Sequence, residues 1–280
     1  MSQPILKIIE HLNKERTMIF NKNKSEKRQI FNYHEKGEGE AIIFLHGLFG
    51  ELSNWKATIE HFSKNYRVIV PILPIYDGSM QKDGLDGLVN YLHELVKELN
   101  IERFNLVGNS LGGQVAILYS VAYPEKVIRL VLTGSAGLYE STMGASYPKR
   151  GDYAYIEDRV RYTFHNDKIV TKNLVDQVFE TVNDVRKSIR VIKIVRAANG
   201  NNVADALKLI TAPTLLVWGR QDRITPLEIA YKFKSLLSVN TKLRIIEECG
   251  HAPMMERPEQ FNEALESYFN SEIFAYAQVG

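Results

Sequence analysis

The chain predicts an α/β fold, a doubly wound and mostly parallel sheet with a helical insertion after its sixth strand. Two observations predict it. Short apolar runs at residues 68–70, 104–107 and 127–132 alternate with longer helix-like stretches, and such runs suit parallel strands covered on both faces. The alternation then stops after Val131-Leu132-Thr133-Gly134-Ser135, and about seventy residues pass before the next strand-like run, at Thr214.

Taken in chain order, Ile5, Ile8, Ile9 and Leu12 are spaced for an amphipathic helix over about residues 3–14. Residues 17–20 and 28–33 are expected as an antiparallel edge pair around a polar turn at 21–27. Runs at 41–45 and 68–70 follow as buried strands. Residues 83–100 and 110–123 read as helices around the strand 104–107, the second stopped by Pro124. After the strand 127–132 the insertion is mostly helical: Thr171 is expected to cap a helix at 172–181 and Asp184 another at 185–198, with Gly200 at C′. Runs at 214–218 and 243–246 complete the sheet, with a helix beginning near Pro226 between them. The division that follows is one core, residues 1–136 and 211–280, interrupted by an insertion at 137–210.

Length and composition set limits. The 280 residues suffice for one full α/β core, and no flexible linker divides them. Lysine plus arginine (35) nearly balance aspartate plus glutamate (33), and a formal net charge of +2 is too small to argue for nucleic acid or an anionic membrane surface. The longest apolar runs are strand-length, no signal-peptide core follows Met1, and the single cysteine, Cys249, precludes an internal disulfide. The expectation is a cytoplasmic protein acting on a small molecule, without cofactor, metal, nucleic-acid partner or membrane span. The oligomeric state is left open.

The chemistry centres on Val107-Gly108-Asn109-Ser110-Leu111-Gly112-Gly113, a G-x-S-x-G pentapeptide after an apolar run and before a helix. A strand that turns abruptly into a helix strains the central serine, and small flanking residues let the two backbones pack that closely. The hydroxyl is then held above a helix N-terminus whose free N–H groups favour negative charge. Three other strand ends carry matching parts. Residues 41–45 end in His46-Gly47-Leu48-Phe49-Gly50, 214–218 in Gly219-Arg220-Gln221-Asp222-Arg223, and 243–246 in Glu247-Glu248-Cys249-Gly250-His251. A serine hydroxyl needs a base titrating near neutral pH, which a histidine supplies. Asp222 would hold His251 in the right tautomer and stabilise the imidazolium. Asp222 also has a second reading, as a cap of the helix near Pro226. His11, His34, His61, His93 and His165 lack a strand-end context and read as surface or packing residues. Cys249 has no elbow of its own and reads as buried packing.

With its order Ser, Asp, His, the chain from the His46-Gly47 turn to its end resembles the α/β-hydrolase superfamily. The resemblance implies an oxyanion hole from the backbone N–H groups of Leu48 and Leu111, and His46, beside Gly47, as a support for that loop. It also implies that residues 137–210 form a cap, whose aromatic first part (Tyr139, Tyr147, Tyr153, Tyr155, Tyr162 and Phe164) shapes the pocket. Ser110 excludes the aspartate-nucleophile dehalogenases and epoxide hydrolases of this fold.

Gly108-Asn109-Ser110 and Ser53-Asn54-Trp55 are similar to the serine hydrolases that cleave carbon–carbon bonds in meta-cleavage products, where Asn109 and Asn54 have counterparts. That subfamily carries a tryptophan after the histidine, where this chain has Ala252, and a cap arginine where Gln177, Val178 and Phe179 stand. Arg159, Arg161, Arg186 or Arg190 are left as substitutes. The His-Ala-Pro-Met-Met-Glu segment looks more like general esterases of the fold, while the loop at 71–78 departs from their D-x-P-G pattern. The expectation is a serine hydrolase of a small or medium carboxylic ester, acting through an acyl-enzyme on Ser110. Carbon–carbon hydrolysis of meta-cleavage-type diketones and a non-catalytic, ligand-binding role are the alternatives.

Overall fold

In the computed structural model, which describes residues 31–50, 52–76, 84–138, 149–238 and 240–271, seven strands form one sheet in the order β1-β3-β2-β4-β5-β6-β7. They are β1 (Tyr33–Lys36), β2 (Ala41–Leu45), β3 (Arg67–Pro71), β4 (Phe104–Asn109), β5 (Val127–Thr133), β6 (Thr214–Gly219) and β7 (Thr241–Ile246). Only β1 runs antiparallel, against β3. The apolar runs are explained by what covers them. Ile43 and Leu45 of β2 face one core with α2 (Leu85–Glu98) and α3 (Leu111–Ala122), while Ile42 and Phe44 face a second with α1 (Lys56–Phe62) and the C-terminal helix. Strands buried on both faces need no polar alternation.

The chain leaves β2 for β3 on one side, then returns to place β4 on the other, with Leu45 paired to Gly108. That reversal opens a crevice at the carboxyl ends of β2 and β4, the usual ligand position in open α/β sheets.

Between β5 and β6 lie α4 (Tyr153–Thr163), α5 (Lys172–Asn183), α6 (Val185–Asn199) and the short α7 (Ala204–Leu207). Thr171 caps α5 by accepting the Leu174 N–H (3.2 Å), and Asp184 caps α6 by accepting those of Arg186 and Lys187 (2.8 and 3.0 Å). After β6 come α8 (Leu227–Leu236), α9 (Pro253–Glu256) and α10 (Pro258–Phe269).

Two expectations need correction. The edge strand expected at 28–33 is β1 at Tyr33–Lys36, and it pairs antiparallel with β3. Its sequence, Tyr-His-Glu-Lys, is largely exposed, so no apolar run marks it. Five described strands precede the helical segment, and the further strand expected at 17–20 lies outside the described residues. Gly200 is the C-cap of α6 at φ −77°, so the turn uses no left-handed residue. The segments 3–14 and 17–20 and residues Tyr139 and Tyr147 lie outside the described residues.

Candidate active site

Ser110 stands between β4 and α3 with φ 53° and ψ −120°, a conformation that costs a non-glycine residue about 1–3 kcal/mol. The surroundings hold it there. Its N–H donates to the Thr133 carbonyl (3.1 Å), and its carbonyl accepts from Gly113, Gln114 and Ala136 (2.9, 3.2 and 3.0 Å). The flanking glycines are required by close approach. A Cβ on Gly108 would enter the backbone of Gly112, one on Gly112 the carbonyl of Leu45, and one on Gly47 would lie 2.9 Å from the Ser110 Cβ.

The loop after β2 is fixed by buried His46. Its Nδ1 is 2.8 Å from the Gly47 carbonyl and its Nε2 accepts the Leu73 N–H at 2.9 Å, so the ring is neutral with its proton on Nδ1. Burial lowers its pKa to about 4, against a smaller opposing effect of the Gly47 hydrogen bond. Phe49 has φ 58° and donates its N–H to the Tyr76 hydroxyl (2.7 Å). Leu48, Ser110, Leu111 and Ala136 bound a niche of about 10 Å³, close to the size of one water. The N–H of Leu111, first in α3, is one of the donors that a helix start leaves without an intrahelical partner.

Behind the cavity, Asp222 and His251 form a buried pair, Oδ2 to Nδ1 at 2.9 Å. Asp222 Oδ1 accepts the N–H groups of Ile224 and Thr225 (both 2.9 Å), and Oδ2 accepts the Thr225 hydroxyl (2.9 Å). Asp222 thus organises the turn ahead of α8 and contacts the imidazole, but it does not cap that helix as expected: the N-cap is Pro226, with no side-chain cap bond. Asn109 Nδ2 donates to the carbonyls of Thr133 (3.1 Å) and His251 (3.2 Å), tying the serine turn to the histidine loop. A Cβ on Gly219 would strike the carbonyls of Cys249 and Gly250, so β6 and the histidine loop also pack backbone to backbone. Cys249 is fully buried, and burial pushes its thiol pKa far up, which leaves it inert at neutral pH.

Sequence reading missed Thr225 and Glu256. Buried Glu256 accepts the N–H of Gly250 (2.9 Å) on one oxygen and those of His165 and Asn166 (2.8 and 3.0 Å) on the other, joining the histidine loop to the segment after α4. The only signals were position: Thr225 three residues past Asp222, and Glu256 five past His251.

Ser110 and His251 line one cavity of about 620 Å³, with Leu48, Asn54, Asn109, Ala252 and Met255 on the core side. Helices α4, α5 and α6 close the opposite side with apolar residues, among them Ile156, Val160, Val178, Val182, Ile192 and Val195. The aromatics of the segment divide. Tyr155 and Phe164 line the cavity, Tyr153 donates its hydroxyl to Asp176 (2.8 Å), and Tyr162 lies under the guanidinium groups of Arg159 and Arg223 (4.9 and 4.6 Å). Of the arginines weighed from sequence, Arg159 reaches the wall, whereas Arg161 pairs with Glu157 (2.7 Å) and neither Arg186 nor Arg190 lines the cavity. Arg150 and Arg196, not anticipated, do line it. Residues 71–76 line none of it and act through the Leu73 and Tyr76 contacts. Among the described residues no group of His, Cys, Asp and Glu could hold a metal ion, and no helix is long and apolar enough to cross a membrane.

A strained serine at the switch point of an α/β sheet, with a buried Asp–His pair at the same edge, is the architecture of an α/β enzyme with a side-chain nucleophile. The family model of the alpha/beta hydrolase fold matches residues 40–258, and the chain belongs to that family and is a hydrolase. It is 31% identical over 255 residues to the 2-hydroxy-6-oxo-6-phenylhexa-2,4-dienoate hydrolase of Comamonas testosteroni, covering 83% of this chain and 88% of that protein. It is 26% identical to the monoacylglycerol lipase ABHD6 of Homo sapiens, with 80% and 73% covered. Among solved structures it is similar to an alpha/beta hydrolase enzyme from the metagenome of sediments from the lagoon of Mar Chica, Morocco. That match has a TM-score of 0.71 and 38% identity, covering 87% of this chain and 96% of that one.

Proposed function

We propose that the protein cleaves a small or medium carboxylic ester through an acyl-enzyme on Ser110, within the cell, with residues 137–210 as a cap over the site. The observation that carries this is the 2.9 Å Asp222–His251 pair behind a cavity that Ser110 and His251 line together. His251 Nε2 takes the Ser110 proton as Oγ attacks the ester carbonyl, while Nδ1–H donates to Asp222 Oδ2 and fixes the tautomer. The oxyanion faces the N–H groups of Leu48 and Leu111 beside the niche they bound. His251 then returns the proton to the leaving alcohol, and water attacks the acyl-enzyme by the same steps in reverse order. His46 and Gly47 hold the oxyanion loop, and Asn109 and Asn54 support the serine turn and the wall beside it.

Carbon–carbon hydrolysis is the second reading. Arg159 on the cavity wall favours it, as does the likeness to the Comamonas testosteroni enzyme. That reaction requires a dienolate to be protonated at carbon before water attacks, which calls for a cationic clamp and a planar wall beside the base. Ala252 provides no such wall, whereas ester cleavage needs only the triad and two N–H donors.

Steady-state kinetics on p-nitrophenyl esters of increasing chain length, beside a meta-cleavage dienolate, test the reading. Short-chain esters should turn over, and Ser110→Ala should lose on the order of ten-thousand-fold or more in kcat. A kcat/KM for the dienolate above that for every ester reverses the ranking.

A further inference from the structure

Helix α6 has three faces, because successive residues turn by about 100°. Ile194 and Ala198 are buried against the core, and Ser188, Val191, Ile192 and Val195 line the cavity. The third face carries Arg186 and Arg190. At the border of the second and third faces Val185 and Ile189, one turn apart, are 55% and 52% exposed while also lining the cavity, so they form an apolar rim at its mouth. The helix holds five Lys or Arg residues and no Asp or Glu. Arg186 and Lys187 are exposed in its first turn, the end of the helix dipole that disfavours cations. Asp184 at the cap and Glu180 on α5 are the acidic residues of the adjoining turns, two against the five basic residues of α6. Neither exposed aliphatic side chains nor cations at that helix end serve folding. A near-neutral chain thus concentrates positive charge where its cavity opens.

We propose that α6 seats the protein on an anionic phospholipid bilayer. Val185 and Ile189 enter the interface, Arg186 and Arg190 beside them meet headgroup phosphates, and the cavity mouth opens onto lipid. Basic residues flanking a short apolar ridge are the composition of helices that lie in a bilayer surface, and neither signal suffices alone. A nucleic acid would satisfy the charges but leave the aliphatic pair in water. The docking stands on this helix; only its consequence, that the ester comes from the bilayer, rests on the function proposed above.

Sedimentation with vesicles tests it. Full-length protein should pellet with phosphatidylcholine vesicles containing about 30% phosphatidylglycerol at about 0.1 M salt, and much less with phosphatidylcholine alone. Each headgroup-facing cation contributes about fivefold, so Arg186→Gln/Arg190→Gln should weaken partitioning about 30-fold while hydrolysis of soluble p-nitrophenyl acetate stays within about twofold. Val185→Ser/Ile189→Ser should lower partitioning as well. The proposal is overturned if wild-type protein stays in the supernatant or if the double arginine variant pellets like wild type. It is equally overturned if the Val185/Ile189 variant binds unchanged and duplex DNA competes fully, which makes the surface a polyanion site. Ser110→Ala should pellet like wild type. Vesicle binding by a protein inactive on every ester would refute the ester reading and leave the docking in place.

Discussion

Replacing Asp222 by asparagine separates the two tasks of this carboxylate. Oδ1 accepts two backbone N–H groups, those of Ile224 and Thr225, which only an oxygen can do. In Asp222→Asn the amide oxygen must therefore take the Oδ1 place, and the NH2 group falls where Oδ2 stood, facing His251 Nδ1 and the Thr225 hydroxyl. The threonine hydroxyl can rotate from donor to acceptor; the imidazole must change tautomer. With Nδ1 accepting, the remaining proton moves to Nε2, on the side of Ser110, and His251 no longer serves as a base. A serine site with its histidine in the wrong tautomer loses about ten-thousand-fold in kcat, about 5.4 kcal/mol at 1.36 kcal/mol per tenfold. Folding should cost about 1 kcal/mol or less, a fall in Tm of only a few degrees. The assay is kcat on p-nitrophenyl butyrate beside a thermal melt of the same sample. If Asp222→Asn keeps half of the wild-type kcat, or if activity falls only as the protein unfolds, this assignment of the acid is wrong.

Two further outcomes follow from buried groups. Burial holds folded His46 at about 4 against 6.5 when unfolded, so protonation favours the unfolded chain. The stability tied to its neutral form is whole above pH 6.5 and falls away toward pH 4, about 2 kcal/mol of it by pH 5. Urea unfolding at pH 7.5 and 5 should show this decrease and His46→Gln a flatter one; equal slopes would remove His46 as its source. Glu256→Gln leaves an NH2 group facing at least one of the backbone donors of Gly250, His165 and Asn166, which costs about 2 kcal/mol, or about 5 °C in Tm. A melt unchanged within 1 °C, as an order-of-magnitude limit, would mean that those N–H groups find other partners.

What was legible in the sequence is what leaves a local trace. β2, β4, β5 and β6 stand out because a strand covered on both faces is mostly apolar, and Gly108, Gly112 and Gly113 are spaced by the crowding of one turn. Thr171 and Asp184 mark helix starts because capping is settled within three residues. The polar edge strand β1 leaves no such trace, since its only requirement is backbone pairing with β3. Glu256 was invisible because the N–H groups it satisfies at His165 and Asn166 lie about ninety residues away. Arg159 and Arg161 illustrate the same limit: two positions apart on α4, one reaches the cavity and the other an exposed ion pair, and only the packed helix decides which.

The segment closing α4 is bound from both sides of the site. His251 donates its N–H to the Thr163 carbonyl (3.0 Å), Glu256 holds the N–H groups of His165 and Asn166, and Arg223, next to Asp222, donates to the carbonyls of Arg161 and Phe164 (3.1 and 2.7 Å). The acid loop and the histidine loop thus grip one turn, and α4 extends from that turn along the cavity with Tyr155, Ile156, Arg159 and Val160 on its wall. Side chains on such a wall keep a fixed distance from the reacting atoms, as discrimination between an ester and a dienolate requires. The rim residues Val185 and Ile189 lie on α6, which none of those hydrogen bonds reaches. If the proposed function and docking hold, α4 would select the bond and α6 would deliver the substrate, so changes on the two helices should act on different steps of one reaction.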